Sequence, residues 1–347
     1  MPFDRHVLTD AIARQHEREP FSGVVSVRER GDVVVEQGFG LAHRAERIPN
    51  TPATRFAIAS GTKTLTAIAV AQLVERGRIA FDTRLAACLD VPLPRFDPSV
   101  TLHHLLTHSG GIPDYFDEAV MDDYEALWRE RPMYGFRAPR DFLPLFAHLP
   151  MKAAPGTAWA YNNAGYVLLG LVVEQVSAMP FTAYVERHVL QACGMSASGF
   201  FPMDRLPGGT AHGYIPTGDG GWRTNVYSVP IVGGADGGAY TTAHDLAVLW
   251  DALLGHRLVG ETTLARMLAP HWRTDPERAD GHYGYGIRIR ERAERPAMLA
   301  MVGEDPGVAF SSTCDPGSGV LCSLLGNTVD ATWAMHGAIA PILEAAS

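Results

Sequence analysis

Ser60 and Lys63 stand three residues apart in Ser60-Gly61-Thr62-Lys63. A serine hydroxyl is a poor nucleophile until a base removes its proton. On a helix, residues at that spacing share a face, which would set Lys63 one turn above Ser60. Ser60 would also lie at the helix N-terminus, where free backbone N–H groups and the dipole favour developing negative charge. Burial and the same dipole disfavour an ammonium ion and push Lys63 toward the neutral form a base needs. Alone, the spacing also fits a Ser N-cap followed by a solvated Lys. The flanks favour chemistry: Phe56-Ala57-Ile58-Ala59 precedes and a long apolar helix follows, so the serine falls at a buried strand-to-helix junction.

A second constellation is Tyr161-Asn162-Asn163, inside the stretch Pro155–Tyr166. A tyrosine beside a lysine could pass the serine's proton to a leaving group, because the cation favours phenolate. Asn163 could orient a substrate amide or the lysine. The plainer alternative is that Tyr161 packs and an asparagine caps the next helix. His104 and His108 are read as core or loop residues: no HExxH pattern accompanies them. Gly61–Thr64 lacks the spacing of a phosphate loop, and no G-x-S-x-G occurs. No metal or cofactor is expected. Trp159, Trp222 and Tyr227 are candidate pocket aromatics.

The elements that must position these groups follow from periodicity. Apolar residues at helical spacing predict a helix over Ser60–Arg76, ended by Gly77. Helices are also predicted over Thr9–Glu19, Asn163–Ser177, Phe181–Gln191, Thr242–Leu254 and Ala331–Ala346. Strands are predicted at Gly23–Arg28 and Val33–Gly38, turning at Gly31-Asp32, then at Tyr285–Arg290, Ala297–Val302, Val308–Cys314 and Val320–Leu325. Counting outward from the Asp315–Gly319 turn sets Cys314 opposite Val320, which argues against a Cys314–Cys322 disulfide. Strands at both ends with helices between predict an α/β architecture. One antiparallel sheet is flanked by helices, with a mainly helical second part and a site where the two meet. The expected division is 1–80 plus 236–347 for the sheet domain and 81–235 for the helical one.

The 347 residues are 46% hydrophobic and 19% charged, enough to bury a sizeable core. A net charge of −9 without a basic run gives no electrostatic case for nucleic acid or an anionic membrane as partner. The polar start, MPFDRHVLTDAIARQHEREPF, lacks the pattern of a signal peptide, and the four cysteines show no paired spacing. A cytoplasmic location with reduced thiols is therefore expected.

These motifs, together with Thr101–Pro113, Gly237–Leu246 and Tyr283-Gly284-Tyr285-Gly286, resemble the serine β-lactamase-related family. That family contains class C β-lactamases, D,D-peptidases and esterases of similar fold. The resemblance implies Ser60 as nucleophile, Lys63 as its base partner, Tyr161 as proton shuttle and Asn163 as support. Family members usually carry Lys-Thr-Gly or His-x-Gly on the strand lining the site. In the corresponding stretch, Gly303–Val308, keeping the glycine in register sets Asp305-Pro306-Gly307 at the motif. Val308 N–H would then join Ser60 N–H as the oxyanion hole, and a carboxylate would replace the family's cation. The expected activity is hydrolysis of a small ester or amide through a Ser60 acyl-enzyme. Acyl transfer on the same machinery, a true β-lactamase or D,D-carboxypeptidase, and a binding domain without activity are the alternatives. Asn163, Asp305, Gly307, Val308 and Trp159 are the candidate substrate contacts.

Overall fold

The computed structural model describes residues 4–274, 280–293 and 295–346. Its centre is an antiparallel sheet of eight strands. They are β1 (Gly23–Glu29), β2 (Asp32–Phe39), β3 (Trp272–Arg273), β4 (Gly281–Tyr283), β5 (Arg288–Arg292), β6 (Arg295–Asp305), β7 (Val308–Asp315) and β8 (Val320–Gly326), in the order β2-β1-β8-β7-β6-β5-β4-β3. The N-terminal hairpin thus enters the sheet beside the last strand: Val24 stands opposite Leu325 and Val25 opposite Leu324. The long helices are α1 (Arg5–Arg18), α2 (Thr62–Glu75), α3 (Asn163–Ser177), α4 (Ala243–Leu254) and α5 (Asp330–Ala346).

Both faces of the sheet are covered, which is why β8 is buried along its whole length. Val25 and Val27 face one way, onto Leu8 and Ile12 of α1 and Met335 and Ile339 of α5. Val24, Phe310 and Leu325 face the other way, into the large core that also holds Leu246 and Leu249 of α4 and the interior of α2. Every residue from Thr62 to Leu73 is buried. A helix apolar all round belongs at the centre of a fold, with its few polar groups committed to fixed partners.

Several boundaries differ from the sequence reading. Helix α1 begins at Arg5 rather than at Thr9, because Asp4 caps it, accepting from His6 N–H at 2.8 Å. The first hairpin turns at Arg30-Gly31, both at positive φ (50° and 92°), with Glu29 paired to Asp32. Cys314 pairs with Leu321, and Asp315 with Val320, one residue out from the expected register; all four cysteines are free. Tyr285 and Ile287 precede β5 rather than lying in it. Gly286, at φ 72°, turns the chain over the start of α2, where an added Cβ would lie 2.6 Å from the Lys63 carbonyl oxygen. The segment after Phe181 is helical to Cys193 but passes through a π-helical turn at Glu186–Leu190.

Candidate active site

The chain enters the site along the short strand Phe56–Ala57, paired with Tyr240–Thr241. It turns at Ala59, a buried non-glycine residue at φ 43°, into a 3-10 turn over Ala59–Gly61, and α2 follows from Thr62. Ser60 therefore sits in the tight turn ahead of the α-helix. Thr62 Oγ1 donates to Ala59 O at 2.8 Å and accepts from Ala239 N–H at 3.0 Å. Thr66 Oγ1 donates to Ala235 O at 2.6 Å, so α2 is tied to the 235–239 loop on either side of Lys63. A left-handed residue immediately before a candidate nucleophile is strain of the kind found at functional sites, and these bonds hold it in place.

Lys63 is 1% exposed, and its Nζ has three neighbours. Ser60 Oγ lies at 2.9 Å, Asn163 Oδ1 at 2.8 Å and the Asp236 carbonyl oxygen at 2.7 Å. The last two can only accept, so they take two N–H bonds. The remaining position faces the serine and suits the lone pair of a neutral amine. Burial lowers the Lys63 pKa, against the attraction of Asp236, Tyr283, Asp114 and Asp305. Tyr161 hydrogen-bonds Ser60, and the Lys63 ammonium position lies 4.9 Å from the centre of its ring. Burial raises the Tyr161 pKa, and the bond to Ser60 is the largest of the effects opposing it.

Asn163 opens helix α3, and Asn162 caps it, accepting from Gly165 N–H at 2.7 Å. Beneath both lies Asp114, which the sequence reading did not single out. Its carboxylate accepts from the backbone N–H groups of Asn163 (2.6 Å), Ala164 (2.9 Å) and Tyr115 (2.7 Å). Burial still pushes its pKa up to about 7. Asp236 was missed too: Tyr115 OH donates to its carboxylate, and its own carbonyl holds Lys63. Both fall beside matched motif stretches, at Pro113-Asp114 and Asp236-Gly237, which is the signal that could have drawn attention to them.

A cleft of about 610 Å³ opens over Ser60, lined on one side by Val302, Gly303, Glu304, Asp305, Pro306 and Val308. The glycine that meets the nucleophile is Gly303. A Cβ there would lie 2.2 Å from Ile58 O and 2.8 Å from both Ser60 N and Gly61 N. Gly307, at φ 74°, is instead the second residue of the two-residue turn between β6 and β7 and packs against the backbone of Tyr214. The motif register expected from sequence is therefore corrected by four residues, to Met301-Val302-Gly303. Met301, not Asp305, then stands two residues before the motif glycine.

The same register relocates the second oxyanion donor. Asp305 and Val308 flank the two-residue turn as its closing hydrogen-bonded pair. Strand residues direct their N–H and C=O to alternate sides, so Val302 and Glu304 direct theirs away from β7. On that side β5 pairs with β6 only as far as Ala300, leaving the edge open to the cleft. Glu304 N–H, rather than Val308 N–H, is therefore the strand N–H directed toward the open edge at the cleft. Val308 lines the cleft but turns toward β6.

Among the aromatics, Trp159 packs on His108 and Tyr283 (ring centroids 6.1 and 6.4 Å) and is absent from the cleft wall. Trp222 stacks edge-on to Tyr214, and Tyr227 is 76% exposed. His104 Nδ1 accepts from Thr101 N–H in a capping box. His108 is buried against the rings of Tyr161, Tyr166 and Tyr283, and burial lowers its pKa. No group of three potential metal-ligating side chains occurs among the described residues.

Comparison with known proteins follows the geometry. The family model "Beta-lactamase" matches residues 8–346. Esterase EstB of Burkholderia gladioli is 35% identical over 202 residues, 55% of this chain and 50% of that protein. A D-aminopeptidase of Gluconobacter oxydans is 26% identical over 270 residues, covering 77% of this chain and 48% of the relative. The chain thus spans about half the length of these two relatives. A penicillin-binding protein from Bacillus halodurans has a solved structure that superposes with a TM-score of 0.90 at 46% identity, covering 95% of this chain and 99% of that one.

Proposed function

The chain belongs to the Beta-lactamase family of serine hydrolases, and on that footing we propose that it hydrolyses a small ester or amide through an acyl-enzyme on Ser60. The observation that carries this reading is Lys63 Nζ, desolvated and 2.9 Å from Ser60 Oγ, with its other two positions taken by fixed acceptors. Lys63 receives the Ser60 proton as Oγ attacks the carbonyl carbon. The oxyanion that forms is met by Ser60 N–H and Glu304 N–H. Collapse of the tetrahedral species breaks the bond to the leaving alcohol or amine, which takes its proton through Tyr161 from Lys63. Water then attacks the acyl carbon along the same proton route, and the acid leaves with Ser60 restored.

Met301, two residues before the motif glycine, supplies no cation, so recognition of a β-lactam carboxylate at that position has no support. The test is intact-mass measurement after treatment with a fluorophosphonate. Wild type should gain one adduct, and Ser60→Ala should gain none while melting as a folded protein. An adduct on another serine in the Ser60→Ala protein would refute the assignment.

A further inference from the structure

A second, much smaller cavity lies beside Ser60, in the notch where β5 parts from β6. The two strands pair no further than Arg288 opposite Ala300, because the chain ahead of Arg288 turns at Gly286 over the start of α2. Beyond that pair, Val302 directs its N–H and C=O into the gap. The gap is a cavity of about 10 Å³ lined by Ser60, Thr64, Tyr161, Tyr283, Arg288 and Val302. That is about the room one water molecule requires. Ser60, Tyr161, Arg288 and Val302 line the main cleft as well, so the two spaces meet at the nucleophile.

A water is held in place when several polar groups converge on it, and these walls are polar on every side. The Arg288 guanidinium, a donor only, makes neither a hydrogen bond nor an ion pair among the described residues. Its charge acts on both Tyr161 and Tyr283, in keeping with its place in the cavity wall. Thr64 Oγ1 donates to Gly286 O at 2.5 Å, which leaves its lone pairs to accept. Tyr161 and Tyr283 complete the wall, and a phenol hydroxyl can accept as well as donate.

The proton route gives such a water its task. Deacylation is acylation run backwards with water in the place of the leaving group, so the water must approach from the Tyr161 side. The cavity is on that side, at the Ala300–Val302 end of the open edge, and the Glu304 N–H lies beyond Gly303 at the other end. We propose that this cavity is the binding site of the hydrolytic water, with Arg288 donating to its oxygen and Thr64 or Tyr283 accepting one of its hydrogens. This rests on the acyl-enzyme reading above. The second O–H is directed at Tyr161. As the water oxygen bonds to the acyl carbon, that proton passes through Tyr161 to Lys63. The ester C–O bond then breaks, Ser60 Oγ takes a proton back from Lys63, and the acid leaves. A water held beside the ester favours hydrolysis over transfer to an alcohol or amine that enters through the main cleft.

The experiment follows the acyl-enzyme formed from a neutral p-nitrophenyl ester, by rapid quench and intact-mass measurement, with and without hydroxylamine. Arg288→Met and Tyr283→Phe each take one partner from the water. The rate of fluorophosphonate labelling, which needs the nucleophile but no water, is the reference for each protein. Both variants should lose about tenfold or more in hydrolytic deacylation beyond any loss in labelling, the scale of one hydrogen bond to the attacking water. Hydroxylamine enters through the main cleft and needs no place in the cavity. It should release the acyl group as the hydroxamate in both variants, with the hydroxamate-to-acid ratio rising about tenfold or more over wild type. A merely structural role would lower labelling, hydrolysis and hydroxamate formation together. Should Tyr283→Phe not fold, Arg288→Met, a change at an exposed residue, decides alone. Deacylation that falls no further than labelling, or an unchanged hydroxamate-to-acid ratio, in either folded variant overturns the water site. Loss of both ester turnover and phosphonate labelling in the wild type overturns the Ser60 reading itself, and the water site with it.

Discussion

Replacing Gly303 by alanine tests the corrected register directly. The added Cβ would lie 2.2 Å from Ile58 O and 2.8 Å from Ser60 N, both backbone atoms that cannot rotate away. Restoring ordinary van der Waals contact at 3.4 Å requires the strand and the nucleophile turn to separate by about 1.2 Å. An oxyanion donor works only within about 2.7–3.1 Å of the developing charge, so a shift of that size removes it from range. Misplacement by about 1 Å costs roughly 10²-fold in rate, and the overpacking itself costs about 1–3 kcal/mol of stability. The assay is the second-order rate of fluorophosphonate labelling, measured well below the melting temperature of each protein. Gly303→Ala should label about 10²-fold more slowly than wild type. Gly307→Ala is the control. It strains a φ of 74° and crowds Tyr214, so it should lower the melting temperature while labelling within a few-fold of wild type. Labelling of Gly303→Ala at the wild-type rate, or a larger rate loss in Gly307→Ala, would refute the assignment of Gly303 and Glu304.

Lys63→Ala and Tyr161→Phe should each lower kcat by roughly 10²–10⁴, and the double variant by far less than the product, as steady-state kinetics on one ester will show. Asp114→Ala leaves the N–H groups of Asn163, Ala164 and Tyr115 without their shared acceptor. It should cost about 3 kcal/mol or more in chemical denaturation. Native Asp114 holds its proton up to about pH 7, whereas the unfolded carboxyl loses it near 3.9. Its contribution from that proton is full below about pH 4 and is lost as pH rises through 7, so Asp114→Asn should flatten the fall in melting temperature over that window.

What could be read from sequence was local. Ser60 and Lys63 declare themselves by one turn of helix, and Asn162-Asn163 by the capping chemistry that opens α3. The sheet strands of the C-terminal half were legible because β-branched and apolar runs alternate with turn residues such as Asp315–Gly319. The third motif was not legible because two glycines, 303 and 307, compete for it, and only a tertiary contact separates them. A cue was nonetheless present: Pro306-Gly307 carries the preferred residues of a type II turn, which places it between strands rather than within one. Asp114, Asp236 and Arg288 act from segments far from Ser60 in the chain, and no spacing rule connects them to it.

The acidic surroundings of Lys63 look at first like an obstacle to its acting as a base, since each nearby carboxylate favours the ammonium form. The same burial that strips water from the lysine strips it from the carboxyls. Asp114 and Asp305 are each pushed up to about 7 and Asp236 is raised as well, so their negative field is weakened near neutrality. What remains is spent on other donors: Asp114 on three backbone N–H groups, Asp236 on Tyr115. Lys63 is therefore contacted by neutral oxygens only, those of Ser60, Asn163 and the Asp236 backbone. A direct carboxylate contact would fix the charge as a buried ion pair and remove the lone pair from the reaction. Holding the carboxyls one residue away keeps the ammonium stable enough to form when Ser60 gives up its proton, and unstable enough to pass that proton on through Tyr161.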